Sequence, residues 1–83
     1  MSRYSYVYML EAVRHPARHY VGLTDDLAAR LVLHNQGSVP SSAPFRPWRI
    51  KTVVAFTDRL RASEFERYLK TASGRAFASV SGM

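Results

Sequence analysis

Between residues 4 and 36 the hydrophobic period changes from two to about 3.6, and this change constrains the fold more than any other feature of the chain. Residues 4–10 alternate, with Tyr4, Tyr6, Tyr8 and Leu10 facing one way and Val7 and Met9 the other, in a β-rich composition. His19–Thr24 reads as a second strand, and the polar "RHPAR" between them, with Pro16, suits a hairpin loop. Pairing around a loop centred near Arg14 sets Tyr8 roughly opposite Tyr20, and a slip of one residue would send one ring to the other face. A helix over 25–36 follows at once. Thr24 or Asp25 serves as its N-cap, two aspartates suit its positive end, and Gly37 follows its last turn. Leu27 and Leu31 form its apolar stripe, and Arg30 and His34 lie one turn apart along the edge, at the border of core and solvent.

The remainder of the chain extends this pattern. Residues 37–47, "GSVPSSAPFRP", are rich in Ser and Pro and read as a loop within the domain. Trp48–Phe56 is a third strand, basic at its start and apolar at its end. Residues 58–72 form a second amphipathic helix with Phe65, Tyr68, Leu69 and Ala72 on its buried face; Ser73 and Gly74 break it, and "RAFAS" adds one short turn. The order β-β-α-β-α(-α) in 83 residues, without internal repeats, describes one α+β domain over 1–83 with room for one core and one site.

Composition narrows the chemistry. With no cysteine there is no disulfide, thiolate zinc site or cysteine nucleophile. No apolar run approaches the roughly 20 residues that span a bilayer, and the first residues lack a signal-peptide core, so the expected location is the cytoplasm with no membrane partner. Twelve Lys and Arg against six Asp and Glu give a net charge of +6, an electrostatic footprint that favours nucleic acid over anionic lipid.

The six acids are Glu11, Asp25, Asp26, Asp58, Glu64 and Glu66. A two-metal site needs clustered carboxylates, whereas adjacent Asp25 and Asp26 point to different sides of a helix start and are explained by capping. A single Mg²⁺, which takes one or two carboxylates and keeps waters, remains compatible. His15, His19 and His34 fall on a loop, a strand and a helix without zinc-ligand spacing. Each candidate also has an ordinary role. His34 suits a helix C-terminus, Arg30 can pair with Asp26, Glu66 with Lys70 and Glu64 with Arg67, and Tyr8 and Tyr20 can be plain strand aromatics. Arg46, Arg49 and Lys51 flank Trp48, which either stacks a base among phosphate contacts or buries its ring and leaves the arginines at the rim.

Taken together, "YVY" at 6–8, "YVG" at 20–22, "DLAARLVLHN" at 26–35, "FRPW" at 45–48 and "FERYLKTASGRAF" at 65–77 resemble the small stand-alone members of the GIY-YIG nuclease superfamily, in order and along nearly the whole chain. The resemblance implies a three-stranded antiparallel sheet flanked by helices, and an endonuclease that hydrolyses phosphodiester bonds of DNA, branched or damaged DNA included, in repair or recombination. It implies catalytic roles for Tyr8, Tyr20, Arg30, His34 and Glu66, with Gly22 closing the second motif, Arg30 binding phosphate and Glu66 holding one Mg²⁺ or Mn²⁺ without a small-molecule cofactor. Arg30, Arg46, Trp48, Arg49, Lys51 and Lys70 are the expected nucleic-acid contacts. Glu66 is preferred to Glu64 by the resemblance alone, because helical spacing sets both at similar angles from the apolar face.

The first motif lacks its opening glycine, and Ser41-Ser42 stands where close relatives tend to carry His-Thr, which bears on any phosphate contact from that loop. Tyrosine and histidine both qualify as the base: Tyr8 is placed to meet the attacking water, while His34 has the better-matched ordinary pKa. Two other classes compete with the enzyme, a non-catalytic nucleic-acid-binding module of a repair complex and a protein-interaction domain.

Overall fold

In a computed structural model that describes residues 3–71, the chain forms a three-stranded antiparallel sheet with a helix on each face. Strand β1 (Ser5–Ala12) lies between β2 (His19–Thr24) and β3 (Trp48–Phe56). It is therefore buried from both sides: Val7, Tyr8, Met9, Leu10 and Ala12 are each no more than 3% exposed.

Strand alternation divides the core in two. Val7 and Met9 face helix α2 (Arg59–Leu69), where they meet Ala62 and Leu69, with Val21, Leu23, Phe56 and Phe65 packed around them. Tyr8, Leu10 and Ala12 face the other way, toward Trp48 and the Leu27 and Leu31 stripe of helix α1 (Leu27–Gln36). Each large apolar side chain buried in these clusters contributes about 1.5–3 kcal/mol. No helix among the described residues is long and apolar enough to cross a membrane.

Caps set the helix ends. Asp26, not Thr24 or Asp25, is the N-cap of α1: its Oδ1 accepts from the Ala29 N–H at 3.1 Å, while Thr24 Oγ1 accepts from the Asp26 N–H at 3.1 Å. Gly37, at φ 80°, closes the helix, with its N–H bonded to His34 O and the Ser38 N–H to Leu33 O at 3.0 Å, the left-handed closure that glycine makes without strain. Asp58 caps α2 by accepting from the Leu60 N–H at 2.9 Å. This helix ends at Leu69, earlier than expected, and its buried face runs through Ala62, Phe65 and Leu69. Tyr68 is 42% exposed and lies beside Phe65, because the 3.6 period centres the stripe away from it. Ala72 and the expected "RAFAS" turn lie outside the described residues.

The hairpin register differs from the expected one by two residues. Tyr8 pairs with Gly22, and Leu10 with Tyr20. The turn is built from Ala12, His15 and Arg18 backbone bonds and is centred one residue later than Arg14. An even shift preserves the face, so Tyr8 and Tyr20 are diagonal neighbours with rings 6.3 Å apart at 23°. Between β1 and β3 the register shifts at Met9/Leu10. The loop over 37–47 holds a short 3₁₀ turn, Ala43–Phe45. Asn35 then ties the end of α1 to the start of β3, accepting from the Trp48 N–H at 2.6 Å and donating to Trp48 O at 3.1 Å.

Candidate active site

The site begins with a missing side chain. Gly22 lies opposite Tyr8 on the edge strand, and a Cβ there would come within 2.8 Å of Tyr8 Cε1 and closer still to Cζ and the hydroxyl. The phenol therefore lies flat across the β2 backbone, where only glycine leaves room.

Helix α1 supplies the partners of this hydroxyl. Arg30 Nε donates to Tyr8 Oη at 3.3 Å, and one turn later His34 Nε2 lies 3.0 Å from the same oxygen. On its other side His34 Nδ1 meets Ser42 Oγ at 2.7 Å. Tyr20 packs edge-on against the imidazole, with ring centroids 4.5 Å apart. The structure thus gathers Tyr8, Tyr20, Arg30 and His34 on the α1 face of the sheet. It also corrects one expectation: Arg30 is partly exposed, but His34 is fully buried and not at the solvent border. The loop after α1 covers it with Ser42, itself fully buried. Arg30 also has Tyr8 as its partner in place of Asp26.

Burial pushes the Tyr8 hydroxyl above its ordinary range, opposed in part by the adjacent Arg30 guanidinium and reinforced by Tyr20 and by the charge of Glu66. Burial, and then the charge of Arg30, push the His34 imidazole below its ordinary value. At rest the pair is a protonated phenol beside a neutral imidazole. Their ordinary pKa values already lie about 3.5 units apart, roughly 5 kcal/mol, so a tyrosinate–imidazolium pair does not form unaided.

Glu66 lies in the opposite layer and acts on this group through its charge. It lies on α2, partly buried, and its carboxylate charge acts on Tyr8. Its Oε2 also accepts from Lys70 Nζ at 3.0 Å, the ordinary ion pair that helical spacing allows. Among the described residues no three His, Asp or Glu side chains gather to cage a metal. A single Mg²⁺-like ion asks for less: one carboxylate, with water and phosphate oxygens filling the other positions. Glu66 fits that donor set once Lys70 yields its bond.

The expected basic cluster is split. Trp48 is 4% exposed, packs with Tyr8, Leu10 and Ala12, and donates from Nε1 to Ser42 O at 2.8 Å. Its ring is a core element, and it has no open face on which a base can stack. Alternation then turns Arg49 to the other face of the sheet, where it pairs with Glu11 at 3.1 Å. Lys51 donates to His19 Nε2 at 3.1 Å, beside Glu11 on that same face. Arg46 folds back onto Ala43 O at 3.1 Å. These three cations are thus separated from Arg30 by the sheet or by local bonds.

Ser42 is the residue that sequence reasoning missed. In the sequence it bears only on a possible phosphate contact, yet its hydroxyl faces inward to His34 and its carbonyl holds Trp48. The available signal was weak: a small hydroxyl residue in the loop after a candidate catalytic histidine. No period connects the two.

No curated protein matches the chain. The GIY-YIG catalytic domain family model matches residues 4–78, which include every residue of this site, so the chain belongs to the GIY-YIG family and carries a nuclease-type domain.

Proposed function

We propose that this chain is a DNA endonuclease that hydrolyses phosphodiester bonds with one divalent ion, Mg²⁺ or Mn²⁺, leaving a 3′-hydroxyl and a 5′-phosphate. We assign it to DNA repair or recombination in the cytoplasm, acting as a single domain over 1–83 on DNA that includes branched or damaged forms. One observation carries the reading: a single phenolic hydroxyl, Tyr8, is met by a guanidinium donor and a neutral imidazole at 3.3 and 3.0 Å, within the field of a carboxylate from the opposite layer. GIY-YIG domains are typically endonucleases and generally use a divalent metal.

Glu66 would hold the divalent ion, which would supply charge neutralisation at the phosphate. The protein's own groups do the rest. Arg30 donates to Tyr8 through Nε and also interacts with Tyr20, and its planar fork has further N–H donors for non-bridging phosphate oxygens, a geometry that lysine lacks. Tyr8 takes a proton from the attacking water while passing its own to His34, so neither residue alone is the base. Tyr20 stacks on Tyr8 and packs edge-on against the imidazole, which restrains both rings for this transfer. Lys70, displaced from Glu66, is left to contact the DNA backbone.

The test is nicking of supercoiled plasmid with Mg²⁺, with Mn²⁺ and with chelator, beside Glu66→Ala. Removing the half-exposed Glu66–Lys70 pair costs less than about 1 kcal/mol, so the variant stays folded. Metal-dependent nicking that falls at least 100-fold in Glu66→Ala is expected; undiminished cutting by the variant defeats the mechanism. A second reading, binding without cleavage, is favoured by the Lys70 bond that already occupies the Glu66 carboxylate. DNA retention with no nicking in either metal identifies it.

A further inference from the structure

We propose that Ser42 is a positioning residue that holds His34 as the Nδ1–H tautomer, so that the Nε2 lone pair faces the Tyr8 hydroxyl. The inference rests on the reading in which Tyr8 surrenders its proton during attack.

The polarity of the chain of bonds follows from its two ends. Arg30 can only donate, and it donates from Nε to Tyr8 Oη. The Val39 carbonyl can only accept, and Ser42 Oγ donates to it at 3.3 Å. Between these ends the contacts are Tyr8 Oη with His34 Nε2 at 3.0 Å and His34 Nδ1 with Ser42 Oγ at 2.7 Å. Reading inward from both ends with a neutral ring, and with the single Ser42 hydroxyl proton spent on Val39, every contact becomes a donor–acceptor pair in one arrangement only: Arg30 to Tyr8, Tyr8 to Nε2, Nδ1–H to Ser42, and Ser42 to Val39. The reverse arrangement sets two donors, Arg30 and Nε2–H, on the phenolic oxygen. It leaves the phenolic proton without an acceptor among these contacts. Such a histidine cannot receive a proton from Tyr8.

Ser42 is built to hold this position. Its N–H donates to Val39 O at 3.1 Å and its carbonyl accepts from Trp48 Nε1, so both backbone groups are engaged. Trp48 is in turn bound through its backbone N–H and carbonyl to Asn35, the residue after His34. The bonds therefore form a closed ring from His34 through Ser42, Trp48 and Asn35 back to α1. Ser42 and His34 are both fully buried, so their hydrogen bond is not in competition with bulk water.

The proton steps balance. The water O–H proton moves to Tyr8 Oη as the tyrosine's own proton moves to His34 Nε2, giving an imidazolium whose Nδ1–H stays on Ser42. The water oxygen bonds to phosphorus, and the 3′-oxygen leaves with the electron pair of its broken P–O bond and takes a proton from solvent. The imidazolium then returns its proton through Tyr8 to solvent.

The test is a two-bond ¹H–¹⁵N correlation spectrum of His34 in the intact chain near neutral pH, for the wild type, Ser42→Ala and Ser42→Thr, combined with single-turnover plasmid nicking. The expected wild-type spectrum has a protonated Nδ1 and an unprotonated Nε2. Ser42→Ala moves the ring toward the Nε2–H form and lowers cleavage about 100-fold, as loss of a competent base does, and Ser42→Thr restores both. An Nε2–H wild type overturns the proposal, and so does a Ser42→Ala protein that keeps Nδ1–H. If Ser42→Ala does not fold, Ser42→Cys, a weak acceptor of similar size, replaces it. The expected spectra with no cleavage in any variant support the Ser42 assignment and refute the nuclease reading, so the two fail separately.

Discussion

Replacing Gly22 with alanine adds one methyl group and tests the geometry on which the whole site depends. That methyl would sit within 2.8 Å of Tyr8 Cε1 and nearer still to Cζ and the hydroxyl. Ordinary carbon contacts lie at about 3.5–4.0 Å, so the ring must move by roughly 1 Å or more. Tyr8 is 1% exposed and packed by Leu10, Trp48 and Tyr20, so the displacement is resisted on its other sides. Overpacking of this kind costs about 1–3 kcal/mol, and in a domain of this size each kcal/mol lowers Tm by about 4–8 °C. The chemical effect is of similar size in free energy. A shift of about 1 Å separates the hydroxyl from Arg30 and His34, and misplacement on that scale costs about 100-fold in rate. Gly37→Ala is the matched control. There the φ of 80° makes alanine strained by about 1 kcal/mol, but its Cβ meets the Arg46 side chain and not Tyr8. Thermal unfolding followed by circular dichroism and single-turnover nicking at saturating protein read the two effects side by side. A Gly22→Ala protein that nicks at the wild-type rate refutes the claim that Tyr8 acts from across the β2 backbone.

Two further outcomes follow from the same contacts. Arg30→Lys replaces a fork by a point charge and removes the Nε bond to Tyr8; a charge-assisted bond of about 1.5–3 kcal/mol predicts a 10- to 100-fold slower single turnover, and a wild-type rate would exclude the fork. Because burial and Arg30 depress the His34 pKa, the unfolded chain takes up a proton that the folded one refuses once the pH falls below the ordinary value of about 6.5. The stability this group contributes is therefore complete above that pH and is lost as the pH falls toward the depressed folded value. The urea midpoint should drop between about pH 7 and pH 5 in the wild type and less in His34→Gln; equal slopes would show that His34 is not the group responsible.

The strands were legible to within a residue or two because alternation and turn residues are local signals, and β1 extends only from the expected end at Leu10 to Ala12. Helix α1 was legible for the same reason, and Gly37 ended it where a left-handed residue was expected. The register lies two residues from the one that alternation and the loop centre suggest, since the polar loop between the strands allows more than one turn. In the site, the partnership of Arg30 and His34 on one helix edge could be read from their spacing. The nearness of Glu66, on a helix in the opposite layer, came only from the family resemblance and then from the fold. The basic residues after Phe45 form one patch in the sequence and three separate local bonds in space, because Arg46 folds back onto its own 3₁₀ turn while Arg49 and Lys51 follow the face of β3 opposite Trp48 and pair with Glu11 and His19.

By itself, then, the sequence determined what depends on neighbours within a turn or a strand: two hairpin strands entering a capped helix, a third strand and a second amphipathic helix, and a +6 charge suited to a polyanion. Tertiary structure decided what depends on contacts between distant segments. It laid the Tyr8 ring across Gly22, buried His34 under Ser42, and closed the ring of bonds through Trp48 and Asn35. The physical reason is that burial and hydrogen-bond direction belong to pairs of groups. Neither is a property of His34 or Ser42 until the loop that joins them has folded over the sheet.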